Sequence, residues 1–94
     1  MKATVVGLVT PHVLRVLDLA KQAEAGTNVD WHLRDAVART VEDLGQQFNA
    51  RELLSAYAQG LESVAKDVGP GRDRYVALLH TAAGAAAREI ERLG

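Results

Sequence analysis

Apolar residues recur at intervals of three and four along almost the whole chain, and the pattern breaks only at a few short, mostly glycine-bearing interruptions. That period is the signature of amphipathic helices, whose core-facing side returns every 3.6 residues. The one stretch rich enough in β-branched residues to suggest a strand is residues 2–9, and no second stretch offers it a partner. A lone strand would leave its backbone donors and acceptors unmet. The spacing thus restricts the chain to helices packed against helices.

The breaks divide the sequence into four segments. In the first, Thr10 suits an N-cap with Pro11 at the first helical position; Val13, Val16, Leu17 and Ala20 share a face, and Gly26 is a natural stop. Residues 2–9 are expected to add a helical turn or two bent at Pro11, or else to form an extended arm. The second segment is expected to start at Asp30 as N-cap. Its apolar face is Leu33, Ala36, Val37, Thr40, Val41, Leu44 and Phe48, with Asp30–Arg34 and Asp35–Arg39 as i,i+4 ion pairs.

The third segment opens on Asn49 and Glu52, spaced like a capping box. Its stripe is Ala50, Leu53, Leu54, Tyr57, Leu61, Val64, Ala65 and Val68, with Glu62–Lys66 on the outer face and Gly69-Pro70-Gly71 as terminator. The fourth carries Tyr75, Leu78, Leu79, Ala82, Ala86, Ile90 and Leu93. The connections span four residues or fewer, which makes successive helices antiparallel neighbours. The expected fold is all-α: one domain over residues 1–94, an antiparallel four-helix bundle with short loops and a bent or extended N-terminal segment.

Ninety-four residues support one small core, and with one Phe, one Trp and two Tyr that core must be mainly aliphatic. The absence of cysteine removes disulfides, zinc–thiolate sites and thiol nucleophiles. Eleven basic and twelve acidic residues are spread along the chain, so no segment forms a basic footprint for nucleic acid. Residues 3–14 lack charge but fall short of the roughly 20 apolar residues a membrane span needs. A signal peptide is disfavoured by Arg15 and Asp18, so a soluble, unprocessed, cytoplasmic protein is expected, and the Ala/Arg/Val-rich style suggests a high-GC bacterial source.

Motifs for chemistry are scarce. His12, His32 and His80 stand far apart in sequence, and no Glu-x-x-His occurs, so no metal and no cofactor is expected. Ser55 and Ser63 have no histidine nearby, and no catalytic residue is assigned. Arg72 and Arg74 stand at a helix start after Gly69-Pro70-Gly71, which makes them the candidates for holding an anion, although no strand or Gly-Lys-Ser/Thr marks a P-loop. Small helical-hairpin proteins of the WXG type are excluded, because Trp31 is followed by His32 and Leu33 rather than by the Trp-x-Gly turn.

The remaining signal is packing. Residues 81–87 consist of Thr81 followed by alanines and one glycine, small on every face of their helix. Gly84 costs about 1 kcal/mol relative to alanine there. Close approach of another helix would offset that cost. Trp31, Ala77, Thr81, Gly84 and Ala85 are accordingly the candidate interface residues. The leading expectation is a small helical interaction module without catalytic activity, pairing with itself or with another helical protein. One alternative is a helix-turn-helix regulator over residues 41–61 with Arg51 on the reading helix, though the acidic balance of that span makes nucleic acid a poor partner. A second is a ligand-binding bundle or minor enzyme subunit, with a pocket near Tyr57, Trp31 or His80. No membrane partner is expected.

Overall fold

The computed structural model describes the backbone of residues 2–93 and the side chains of residues 5–93. It contains four helices: α1 (Lys2–Glu24), α2 (Asp30–Gly45), α3 (Ala50–Asp67) and α4 (Asp73–Leu93). They form a four-helix bundle with no strand among the described residues. The bundle measures 38 × 25 × 21 Å.

α1 is one continuous helix through Pro11. Thr10 lies inside it and caps nothing, since the helix already begins at Lys2. Pro11 has no N–H, so the Gly7 carbonyl goes without its usual i+4 donor. The other end closes as the sequence suggests. Gly26 takes a φ of 101°, its N–H reaches Ala23 O at 3.0 Å, and the Thr27 N–H reaches Gln22 O at 3.0 Å. This is the Schellman arrangement, in which a left-handed glycine returns two donors to the last free carbonyls.

The cap positions of α2 and α3 differ from expectation. Val29 precedes α2 and Asp30 is its first residue; the Asp30 N–H is taken by Asn28 Oδ1 at 3.1 Å. Asn49 does precede α3, but its side chain caps no backbone donor and instead gives Nδ2–H to Glu52 Oε1 at 3.2 Å. Of the outer-face pairs, Arg39–Asp35 forms at 3.0 Å, whereas the Glu62 carboxylate reaches across to His80 Nδ1 on α4.

The core is aliphatic apart from two tyrosines, Tyr57 and Tyr75. Val16, Leu19 and Ala20 of α1 meet Leu53, Leu54, Tyr57 and Leu61 of α3 and Leu79, Ala82 and Ala86 of α4, all essentially without solvent contact. α3 and α4 form the closest pair. The alanines of α4 explain this: Ala82, Ala83 and Ala86 are buried, and side chains of one carbon let the backbones approach. α2 supplies Leu33, Ala36, Thr40 and Leu44 and engages its neighbours less extensively.

Thr40 is the one polar side chain buried among the described residues. Its hydroxyl lies 2.9 Å from both Ala36 O and His12 Nδ1 and bridges the two. Nε2 of the same imidazole lies 3.9 Å from Asp43 Oδ2. The Tyr57 hydroxyl faces this group but meets no partner in hydrogen-bonding geometry. Burial pushes its pKa up to about 12.

Candidate interaction surface

The interface residues read from the sequence fall into two sets. Ala77 and Thr81 are exposed and Gly84 and Ala85 are half-buried; Ala77, Thr81 and Ala85 run along the side of α4 that borders α2, and Gly84 lies off it. Thr81 and Ala85 form one wall of a groove of about 300 Å³; Leu33 and Val37 of α2 form the other, with Asp30, Arg34 and Arg88 at the rim. Ala77 and Thr81 continue it toward the α1–α2 turn. The groove exists because α2 and α4 face one another with little bulk between them.

The space at Gly84 differs from expectation. A Cβ built there would come no closer than 3.7 Å to any atom, and that atom is a nitrogen of the Arg88 side chain. No neighbouring helix requires the glycine, so the close α3–α4 approach comes from Ala82, Ala83 and Ala86 instead.

Trp31 is 69% exposed at the first turn of α2. Its ring meets His32 edge-on, with centroids 5.4 Å apart. It shares a shallow surface depression with Asp30 and Arg34, so it stands just outside the α2–α4 groove. Phe48 is fully exposed on the α2–α3 turn, contrary to its place in the expected stripe. α2 ends at Gly45, so the helical phase that would carry Phe48 inward stops one turn too early.

Arg72 and Arg74, the anion candidates, are both engaged with the end of α1. Arg72 sends Nε and one terminal nitrogen to the two oxygens of Glu24, each at 2.8 Å. Its guanidinium also lies 4.2 Å from the centre of the Tyr75 ring. The hydrogen bond from Arg72 holds the Glu24 carboxyl below its ordinary pKa, and Glu24 in turn raises that of Arg72. Arg74 points to the carbonyl of Ala23 at 3.4 Å. The two side chains thus neutralise the C-terminal end of α1.

Tyr57, Trp31 and His80, where a ligand pocket was anticipated, lie apart: in the core, at the start of α2, and on the α3–α4 surface against Glu62. Among the described residues no three potential ligands converge as a metal site would need. In the helix-turn-helix span, Leu53 and Leu54 are wholly buried and Arg51 and Glu52 are exposed side by side. No described helix is long and apolar enough to cross a membrane.

Sequence reasoning passed over one surface. Val6 and Leu14 of α1 are 62% and 57% exposed, and Thr10 between them is exposed as well. The signal was present in the absence of Lys, Arg, Asp and Glu from residues 3–14. Comparison of the chain with protein-family models, curated proteins and solved structures gives no match.

Proposed function

We propose that this protein is a small helical interaction module that associates with itself and carries out no chemistry of its own. The supporting observation is exposed apolar surface: among the described residues Val6, Leu14, Trp31 and Phe48 are each more than half exposed. Covering such side chains drives association, and aromatic ones are frequent anchors at interfaces.

Sedimentation equilibrium on the full chain at micromolar concentration tests this reading. A mass at an integral multiple of 10.1 kDa is expected. A strict monomer overturns it.

A further inference from the structure

We infer that the groove between α2 and α4 is a binding site for a small organic anion with an apolar body, of which a carboxylate on a short hydrocarbon chain is the simplest form. The site goes beyond self-association and does not depend on it. At about 300 Å³ the groove has the size of a small ligand site rather than of a docking face for a protein. Its lining is of two kinds. Leu33 and Val37 of α2 and Ala85 of α4 present hydrocarbon, while Arg34 and Arg88 bring one guanidinium from each helix to the rim.

The chemistry of the occupant follows from what those two arginines lack. Arg39, Arg72 and Arg92 are paired with carboxylates, and Arg74 is turned to the Ala23 carbonyl. Arg34 and Arg88 have no ion-pair partner among the described residues. Arg15 and Arg51 lack one as well, but neither lines the groove. Asp30 stands one turn before Arg34 at the same rim, yet the two form no ion pair. Two guanidinium charges against the one carboxylate of Asp30 leave the rim net positive. Thr81 adds no donor, because its hydroxyl is given to Ala77 O at 2.9 Å. Side-chain donation within the groove therefore comes from the two guanidinium groups, whose forked N–H bonds match the paired oxygens of a carboxylate. A neutral apolar molecule would leave both charges unanswered. A bare anion would leave the hydrocarbon of Leu33, Val37 and Ala85 uncovered. A ligand with both parts satisfies both halves of the site, and a cation is repelled by it.

The test titrates the full chain with octanoate and follows the methyl resonances of Leu33, Val37 and Ala85 by NMR. Acetate, which has the charge without the chain, and octanol, which has the chain without the charge, are the matched probes. The expected result is saturable movement with octanoate, at a dissociation constant of about a millimolar, and binding weaker by about tenfold or more for acetate and octanol. Arg34→Gln and Arg88→Gln are each expected to weaken octanoate binding about tenfold. Ala85→Leu, which fills the groove, is expected to abolish it. Arg39→Gln is expected to leave it unchanged, since that guanidinium is paired with Asp35 outside the groove. Circular dichroism confirms that each variant is folded, and Thr81→Met replaces Ala85→Leu should the latter lose helicity. Octanoate that leaves the groove resonances in place, binds equally well without the arginines, or is matched by octanol overturns the inference. Groove resonances that move with protein concentration alone also overturn it, because they mark the groove as a seam between copies.

Discussion

Arg72 grips Glu24 through two parallel N–H···O bonds of 2.8 Å, joining the last residue of α1 to the residue before α4 across 48 positions of sequence. The pair is partly exposed, so solvent screens it, but its two-pronged geometry is the favourable one for arginine and carboxylate. It holds the bundle end where the α1–α2 and α3–α4 turns meet, and stacking of Arg72 on Tyr75 fixes the guanidinium plane.

The Glu24 contribution is pH-dependent with a definite sign. Its folded pKa lies below the ordinary 4.5, so the stabilisation is present above that value. It is lost as pH falls through the lower, folded pKa. Thermal melts of the wild type and Glu24→Gln are expected to differ at neutral pH and to converge in strong acid. A difference that persists in strong acid would contradict the ion-pair account.

Tyr57 makes the opposite alkaline prediction. Burial raises its pKa from 10.0 to about 12, so the stability due to the neutral phenol is intact below 10 and falls away as pH rises toward 12. The loss across that interval is roughly 3 kcal/mol. Tyrosinate absorbance is expected to show Tyr57 ionising above the ordinary phenol range, as the bundle unfolds. Because the Tyr57 hydroxyl lacks a partner, Tyr57→Phe is expected to leave stability unchanged or raise it by up to about 1 kcal/mol in urea titration.

Thr40→Val is the counterpart. It keeps the shape but leaves His12 Nδ1 without its hydrogen-bond partner at 2.9 Å. A cost of about 1–3 kcal/mol is expected in chemical denaturation, since a partly buried polar group is stranded. Tyr57→Phe and Thr40→Val should therefore differ in sign or size although each removes one hydroxyl.

Gly84→Ala is expected to stabilise the protein by about 1 kcal/mol, read from the melting temperature. The added methyl meets only ordinary contact with Arg88 at 3.7 Å. Loss of stability would show that Gly84 serves a contact outside the single chain.

Trp31 provides an intrinsic probe as the single tryptophan. At 69% exposure its emission is expected to resemble that of free indole in water and to change little on unfolding. Iodide quenching that weakens as protein concentration rises would place Trp31 in the self-association seam; ready quenching at every concentration would place it outside.

Helix number, order and approximate ends were legible because they depend on local chemistry. Glycine at position 26 reverses the chain whatever surrounds it, and Gly69-Pro70-Gly71 cannot continue a helix. The stripe of α3 was also legible: Leu53, Leu54, Tyr57, Leu61 and Ala65 are all buried. Periodicity also gave the inward faces of α2 and α4 but overran their ends, at Phe48 and at Leu93, which is 46% exposed.

What the sequence alone determined, then, is a chain of four amphipathic helices with short turns, because propensity, period and turn residues act over one or two helical turns. Tertiary structure decided where the long-range partners lie. It took Arg72 from a candidate anion site to Glu24, took Glu62 to His80, joined Thr40 to His12, and left Val6 and Leu14 uncovered. Those outcomes depend on which helix faces meet across the bundle, a relation between residues far apart in the chain that no local pattern encodes.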